Sequence, residues 1–425
     1  MLTGERRMGI AYGREFYRWQ ATAESRAALR DNRMPERMAT RLFAAVDAGL
    51  ETFQPDLIIM GQTASPDCFV LALLAETRGI PVAINRPSKI LSNRFFWTQD
   101  REMLNIAAAV LCREKIERGV VPGAAARANV QAFREKPAPI AYIQRNWDIA
   151  AAKTFVASHL DVALRAVRAF AWRAKGQPGR APKPVFSKIV ETYRGTYLRA
   201  RQAGYFKTMT ETELHLQPYI YLALHKEPEL AINFQAPFWH SQKNLIAWLC
   251  MNLPSGYRLL VRDHRKNNGR RPMSFYRHLS AYPGVELISP FDSQFKYIRN
   301  ADLIVSDNGT TGWEGLVFGR RVLSLARNFY APAALATELE DPSQLGEAVL
   351  RRLAEPEQPD RAEWERRLAC LVEAEMETTL AEDASSHDQS LAWIESMSVS
   401  RPDSQLAAAS GRIASSRLAA AHHVE

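Results

Sequence analysis

The hydrophobic pattern of the second half of the chain alternates between strand-like and helix-like segments. From Pro218 onward, short apolar runs are separated by polar or amphipathic segments of helix length; the runs read YIYLAL, YRLLVRD, VELIS, DLIVSD and RVLSLA. Five strands that alternate with helices predict a doubly wound parallel sheet. Ligands of such sheets bind beyond the carboxyl ends of the strands, so the polar residues that follow these runs are the first candidates for a binding site.

The first half of the chain carries a shorter version of the same pattern. The stretch FQPDLIIMGQ places a strand-like LIIM after Pro55 and Asp56. The following DCFVLALLAETRGIPVAI reads as a helix that stops at Gly79 and a second strand at residues 82–84. This is a βαβ unit, and it predicts a second Rossmann-like domain in residues 1–150.

The remaining segments are predicted to be helical or disordered. Residues 151–215 combine an Ala-rich helical pattern, the break GQPGRAPKP and a second helical pattern at 186–203. Residues 216–360 contain the predicted parallel sheet, and residues 361–395 are again helical in pattern. Residues 396–425 hold seven Ser, seven Ala and no aromatic residue, which predicts a disordered tail.

Positive charge is concentrated in one part of the chain. The net charge is +9, and residues 165–207 hold eleven Lys or Arg against a single acidic residue, Glu191. Such a stretch is typical of a surface that binds anionic lipid or a polyanionic substrate, or of a solvated hairpin. Nucleic acid is the weakest of these partners, because no zinc finger, basic zipper or aromatic RNA-binding signature accompanies the patch. We expect an anionic membrane surface as the partner.

Composition restricts the class and location of the protein. With 425 residues, 47% of them apolar, the chain is long enough for two or three domains with hydrophobic cores. Its four cysteines lie far apart, without the spacing of a zinc site or a disulfide framework. No stretch has the roughly 18 apolar residues of a spanning helix, and the first residues lack the apolar core of a signal peptide. We therefore expect a cytoplasmic protein, peripheral at the inner membrane surface.

One strand-to-helix junction has the composition of an anion site. Residues 303–322 read LIVSDNGTTGWEGLVFGRRV, in which an apolar run passes into small hydroxyl and glycine residues before a helical pattern begins. The first N–H groups of such a helix have no partner within the helix and attract an anion. The alternative is an ordinary capped turn, which α/β proteins contain several times over.

Three motifs, in order and in spacing, resemble those of a known family. The motifs are LHKEPE at 224–229, RDHRKNNGRR at 262–271 and SDNGTTGWEGLVFGRRV at 306–322, followed by NFY at 328–330. They resemble the C-terminal half of the capsule polysaccharide biosynthesis glycosyltransferases, over residues 218–332. The resemblance implies the GT-B fold, in which two α/β Rossmann-like domains with parallel sheets face each other across a cleft, as in Kdo transferases and sialyltransferases. Arg265 stands where the family has a proline after the histidine.

The resemblance also implies the partners of each half. Residues 216–360 would bind a nucleotide-sugar donor, such as a CMP-linked acidic sugar. Residues 1–150 would bind the acceptor, a glycan or a lipid-linked glycan. Because the chain contains no Asp-x-Asp triplet, we expect transfer without a metal ion and without a cofactor, with a helix dipole and cations neutralising the leaving phosphate.

Polar side chains at the strand ends are the candidate site residues. His264, which can donate to a leaving phosphate, and Glu227, in the loop after the first strand of this half, are the catalytic candidates. The donor-binding candidates are the cations beside the histidine, the polar and glycine residues at the helix start, and a glutamate that would accept from ribose hydroxyls: Arg262, Arg265, Lys266, Ser306, Asn308, Gly309, Thr310, Thr311 and Glu314. Structural roles are the alternative: a satisfied histidine, simple helix capping and a polar loop. His225 has a weaker case, because no complementary residue is spaced to meet it.

These observations predict a glycosyltransferase that uses a nucleotide-activated sugar in capsule or other surface polysaccharide biosynthesis. Two other enzymes on the same fold stay open as alternatives, a nucleotide-sugar epimerase and a polyol-phosphate transferase. A non-catalytic binding or scaffold protein is a further alternative, which the departure at Arg265 allows.

Overall fold

We describe the protein from a computed structural model. It describes residues 34–61, 63, 66–140, 185–226, 235–239, 241–339, 341–356 and 360–399, together with residues 164, 167, 168, 170, 171 and 174. The tail predicted at 396–425 lies almost wholly outside these residues. So does most of the basic segment before residue 185.

A six-stranded parallel sheet forms the centre of the C-terminal half. Its strands are β4 (Tyr219–Ala223), β5 (Arg258–Arg262), β6 (Val285–Ile288), β7 (Leu303–Ser306), β8 (Val322–Ser324) and β9 (Thr337–Glu338). They lie in the order β6-β5-β4-β7-β8-β9, and every neighbouring pair is parallel. This is the strand order of a Rossmann fold, in which strands are added first on one side of β4 and then on the other. The predicted α/β class with a Rossmann-like sheet is confirmed.

Helices cover both faces of this sheet, so its strands are buried on both sides. The helices are α7 (Gln242–Met251), α8 (Met273–Leu279), α9 (Gln294–Asn300), α10 (Thr310–Val317) and α11 (Leu345–Ala354). Along β4, Ile220 and Leu222 belong to one hydrophobic cluster, whereas Tyr219 and Tyr221 belong to the other. Successive side chains of a strand point to opposite faces, which explains why the run YIYLAL is apolar throughout.

The N-terminal half holds a smaller sheet. It contains β1 (Ile58–Met60), β2 (Val82–Pro87), β3 (Arg94–Thr98) and, from the far end of the chain, β10 (Leu380–Ala381), in the order β1-β2-β3-β10. The predicted βαβ unit is present, since β1 and β2 are parallel and flank α2 (Pro66–Thr77), with α1 (Met34–Phe53) before them. The sheet differs in detail from the expected parallel one, because β3 and β10 run antiparallel to their neighbours.

A long C-terminal helix connects the two halves. Helix α12 (Arg361–Thr378) packs against α3 (Ile106–Glu117) and α4 (Ala124–Glu135), and these helices share one hydrophobic cluster with a face of the large sheet. The indole N–H of Trp364 donates to the Leu316 carbonyl at 3.0 Å. The last helix, α13 (His387–Val399), returns to the small sheet, where Trp393 stacks on Trp97. The segment predicted as C-terminal helices is therefore helical.

The described part of the basic segment is a helix that braces the large sheet. Helix α5 (Val185–Gln202) matches the helical pattern predicted at 186–203, and it is followed by the short α6 (Glu211–His215). At its end, the buried side chain of Gln202 donates to the Arg271 carbonyl and accepts from the Gly269 N–H, both at 2.7 Å. Helix α5 thus supports the loop that follows β5. Within the described residues, no helix is long and apolar enough to cross a membrane.

Close packing of α10 against the Tyr330 ring requires glycine. A Cβ atom on Gly312 would overlap the ring of Tyr330, which is fully buried. We expect Gly312→Ala to lower the free energy of unfolding by about 1–3 kcal/mol, the usual cost of overpacking a rigid core. Urea denaturation measures this. Gly49→Ala is the matched control, because a Cβ there meets nothing within 4 Å and alanine favours the α1 helix. Equal stability of the two variants would contradict the packing account.

Candidate functional site

Three strand ends meet at one edge of the large sheet. Since β4 lies between β5 and β7 and all three are parallel, the residues that follow them share that edge. His225 follows β4, His264 follows β5, and Asp307 leads from β7 into α10. The strand order reverses at β4, and open α/β sheets bind ligands at such a point. The structure thus brings together the motifs that the sequence separated.

His225 is paired with a buried carboxylate. Its Nε2 lies 2.5 Å from Oδ1 of Asp307, and its imidazole packs beside Gly309, the N-cap residue of α10. Asp307 is buried, while the His225 side chain keeps 15% of its surface exposed. The expectation that nothing is placed to meet His225 was wrong. The missed signal was the acidic residue directly after β7, which becomes informative only once β7 is known to lie beside β4.

The backbone of His225 is held by three buried side chains. Gln242 accepts from the His225 N–H at 2.7 Å and donates to its carbonyl at 3.1 Å. Asn267 and Arg271 donate to the same carbonyl at 2.9 and 3.1 Å. Buried amides and guanidinium groups need such partners, and here they also fix the orientation of one residue at the sheet edge.

Asp263 organises the loop that carries His264. Its carboxylate is buried and accepts from the His264 N–H at 2.7 Å, from Asn267 Nδ2 at 2.8 Å and from the Tyr276 hydroxyl at 2.6 Å. The Arg271 Nε lies 3.1 Å from Oδ2 and compensates the charge. A buried carboxylate is tolerated only with partners of this kind. The His225 and His264 backbones therefore share one network.

His264 is half-buried and its ring is oriented by the loop. Its Nδ1 accepts from the Lys266 N–H at 3.0 Å, so His264 caps the short turn of 3-10 helix that follows. With Nδ1 acting as the acceptor, the neutral imidazole carries its proton on Nε2, which is then the donor. This is the state in which a histidine can donate a hydrogen bond from Nε2 to a phosphate.

The two predicted arginines lie beside His264 and support a neighbouring loop. The buried Arg262 guanidinium donates to the carbonyls of Pro290 and Asp292 at 2.8 and 3.1 Å. Arg265 donates to the Pro290 carbonyl at 2.9 Å through Nε. These contacts give both residues a structural function, and their phosphate-binding role stays a prediction. Lys266 is half-buried in the same turn.

The start of α10 presents its backbone without a side-chain cap. Gly309 is the N-cap residue and supplies no capping hydrogen bond, so the alternative of simple side-chain capping at this position does not hold. The buried Asn308 donates to the Arg327 carbonyl at 3.2 Å through Nδ2, and Ser306 and Thr311 are also buried. Uncapped N–H groups at a helix start favour an anion.

Glu314 is buried in the first turns of α10. Its Oε1 accepts from the Thr310 hydroxyl at 2.9 Å, and its Oε2 accepts from Gln294 Nε2 at 2.7 Å. Burial raises the pKa of Glu314 to about 7, although both hydrogen bonds and the charge of Arg262 act in the opposite direction. Both oxygens are engaged within the protein, and the predicted ribose contact stays a prediction. Glu227 lies outside the described residues.

A cavity elsewhere in the described residues lacks the histidines of this site. A cavity of about 430 Å³ lies near the opposite ends of β5 and β6, where Arg258 and Lys207 both face Glu286 at 3.7 and 3.4 Å. Its charges compensate one another, and no histidine lines it. No group of His, Cys, Asp or Glu in the described part of the chain is arranged to hold a metal ion.

Comparison with known proteins yields distant structural matches. No protein-family model matches the chain, and no curated protein matches it. The Thermosulfurimonas dismutans KpsC beta Kdo 2,4 transferase aligns with a TM-score of 0.36 and 11% identity, over 73% of this chain and 78% of that one. The Methanocaldococcus jannaschii UDP-GlcNAc 2-epimerase, in complex with UDP-GlcNAc and UDP, aligns with a TM-score of 0.31 and 13% identity, over 79% and 80%.

The spinosyn rhamnosyltransferase SpnG, complexed with spinosyn aglycone, has a TM-score of 0.26 and 12% identity, over 38% of this chain. The match spans less than half of that enzyme, 42% of its length. Superpositions this loose support no functional conclusion, and the function proposed below is argued from the site itself.

The raised pKa of Glu314 predicts a pH-dependent stability. Because the folded-state pKa of about 7 exceeds the ordinary 4.5, the protonated form is favoured by folding. Stability from this group is fully present below pH 4.5 and is lost as the pH rises to about 7. Glu314→Gln should remove a loss on the order of 2–3 kcal/mol between these pH values.

The measurement is urea denaturation of the wild type and the variant across that pH range. The exposed Glu117→Gln is the control, and it should follow the wild type. Glu375 has a pKa that burial also raises to about 7, so part of the pH dependence should persist in Glu314→Gln. A variant curve parallel to the wild type would show that folding does not raise the pKa of Glu314.

Proposed function

We propose that this protein is a glycosyltransferase that takes a nucleotide-activated sugar and acts in the synthesis of a surface polysaccharide. One observation carries the proposal: the oriented His264, the His225–Asp307 pair and the start of α10, which has no side-chain cap, lie at the same carboxyl edge of the sheet, where the strand order reverses. The helix start suits a phosphate, and the Nε2–H of His264 suits donation to the same kind of group. The described residues that follow β4, β5 and β7 on this edge belong to the three motifs that resemble the capsule glycosyltransferases.

In the proposed reaction, the acceptor hydroxyl oxygen attacks the anomeric carbon while the bond from that carbon to the phosphate oxygen breaks. The leaving nucleotide phosphate would be stabilised by the α10 N–H groups and by the Nε2–H of His264. His225, whose Nε2 is paired with Asp307, would line the site next to Gly309. Glu227, the second catalytic candidate from the sequence, is proposed to take the acceptor proton.

The finer parts of the proposal rest on sequence. The resemblance supports an acidic sugar carried by CMP, with a glycan or lipid-linked acceptor bound by the N-terminal half. The charge of residues 165–207 supports a position at an anionic membrane surface, where each engaged cation contributes about 1 kcal/mol before screening. Part of that segment, α5, also packs against the loop after β5.

A thermal-shift panel tests the donor assignment. CMP-, CDP-, UDP- and GDP-linked sugars should be compared at equal ionic strength, because a ligand that binds the folded state raises its melting temperature. We expect a rise with one nucleotide class and none with the corresponding nucleoside, whose phosphate is absent. No shift with any donor would count against a nucleotide-sugar enzyme. Chromatography of the reaction products then separates transfer to an acceptor from isomerisation of the donor.

His264→Ala tests the role of the histidine in the leaving-group step. Turnover with the donor found in the panel should fall on the order of 10²-fold or more, the usual contribution of an acid or an anion-stabilising donor. His278→Ala is the matched control, since this histidine is exposed on α8 and contacts Tyr282. Undiminished turnover in a folded His264→Ala protein would remove His264 from the mechanism.

A further inference from the structure

Helix α5 has one buried side and one exposed side. Among its described side chains, residues 193–202, the buried ones are Gly195, Leu198 and Gln202, which follow one another at helical spacing. This side rests on the loop after β5, because a Cβ atom on Gly269 would lie 2.6 Å from the Gly195 carbonyl oxygen and Gln202 bonds to the same loop. The opposite side of α5 is therefore directed away from the loop.

The exposed side of α5 carries two aromatic rings beside arginines. Tyr193 and Tyr197 keep 53% and 61% of their surface exposed, and their spacing of four residues places them one turn apart on the same side. Arg194 and Arg201 are also exposed, three residues before and four residues after Tyr197. Tyrosines beside cations suit the headgroup layer of a bilayer, where the ring has an apolar environment and its hydroxyl stays in water.

The stretch before α5 repeats this combination with aliphatic side chains. Six of its residues are described, and all are helical and exposed: residues 164, 167, 168, 170, 171 and 174. Leu164, Val167 and Phe170 keep 47, 67 and 77% of their surface exposed at intervals of three residues, with Arg168 beside them. Single exposed apolar residues are ordinary, whereas a group at helical spacing indicates a surface that binds an apolar partner.

The charge of the segment selects an anionic lipid surface as that partner. Residues 165–207 hold eleven Lys or Arg and one acid, and the neighbouring loop adds the exposed Arg270. A soluble polyanion, such as an acidic glycan, would compensate these cations but would leave Leu164 and Val167 in water. An anionic bilayer suits both groups, because the cations meet the headgroups and the apolar side chains enter the acyl boundary.

We propose that this protein docks on an anionic bilayer by shallow insertion of Tyr193 and Tyr197 of α5 and of Leu164, Val167 and Phe170. The inference rests on the proposed function, which puts the protein at an anionic membrane surface, and it adds the side chains that enter the lipid. Because α5 lies on the loop after β5, docking would bring that loop within a helix diameter, roughly 10 Å, of the lipid surface. An acceptor linked to a lipid in the same bilayer would then be held close to the candidate site.

Sedimentation of the full chain with vesicles tests the proposal, without any donor present. The vesicles contain phosphatidylcholine alone or equal parts of phosphatidylcholine and phosphatidylglycerol, and dextran sulfate is the soluble polyanion. We expect the wild type to bind the anionic vesicles much more strongly than the neutral ones, with an affinity that falls as the salt concentration rises.

Substitution of the inserting side chains separates insertion from attraction of charge alone. Tyr193→Ser with Tyr197→Ser should lower the partition coefficient roughly fivefold or more, because apolar surface that enters the lipid is lost. Leu164→Ser with Val167→Ser and Phe170→Ser should have an effect of the same size. Tyr193→Phe with Tyr197→Phe keeps both rings and should bind as the wild type does.

Charge variants and controls complete the series. Arg194→Gln with Arg201→Gln should lower the partition coefficient roughly tenfold or more, the contribution of two cations near an anionic surface. Lys243→Gln with Arg351→Gln removes two exposed charges elsewhere, and Phe53→Ser removes an exposed ring at the end of α1. Neither control should change the partition coefficient, and equal losses in controls and variants would contradict the proposed surface.

The outcomes separate this inference from the proposed function. A wild type that binds no anionic vesicle, or binds dextran sulfate alone, would overturn the inference, while a donor shift in the thermal-shift panel would still support the enzyme. Loss of binding in the arginine variant alone would show a contact without insertion and would also overturn it. Vesicle binding without any donor shift would support the inference and count against the enzyme. Melting temperatures equal to the wild type exclude misfolding as the cause of lost binding.

Discussion

The parallel pairing of β4 with both β5 and β7 is the constraint on which the candidate site depends. The chain leaves β4 on one side to form β5 and later returns on the other side to form β7. The loops at their carboxyl ends therefore diverge and leave a crevice, which is the general origin of ligand sites in open α/β sheets. His225, His264 and the start of α10 lie at one edge of the sheet because of this strand order. Any other position for β7 would separate His225 from Asp307.

Placing polar groups at this edge requires that each buried charge finds partners. Asp263 is buried against Arg271 and also accepts hydrogen bonds from Tyr276 and Asn267. The same arginine and asparagine donate to the carbonyl of His225. One network thus positions both histidines, and α5 supports it from outside through Gln202. Removing Arg271 would leave the buried Asp263 carboxylate without a compensating charge, which is more costly than never having buried the pair.

The C-terminal helices determine how the N-terminal half meets this edge. Helix α12 packs on α3 and α4 and brings Glu375 beneath Ser88, while β10 adds a strand to the small sheet. The turn that carries Lys89 is thereby held at the start of α10, where Nζ of Lys89 lies 3.1 Å from Oδ1 of Asn308. The protein resembles two sheets connected by returning helices more than two independent domains, because one hydrophobic cluster contains residues of both halves.

The sequence by itself determined the features that depend on local pattern. Alternating apolar runs were enough to predict five of the six strands of the large sheet, all except the short β9, and the hydroxyl and glycine residues after Ser306 were enough to predict that a helix begins there. The position of His264, directly after the second of these predicted strands, also made it a candidate site residue. Other features were decided only by tertiary structure. The pairing of His225 with Asp307 depends on which strands are neighbours, the contact of Lys89 with Asn308 joins two different sheets, and β10 pairs with a strand from the other end of the chain. Hydrophobic periodicity reports how each segment is buried, but strand order and the packing of distant segments decide which side chains meet.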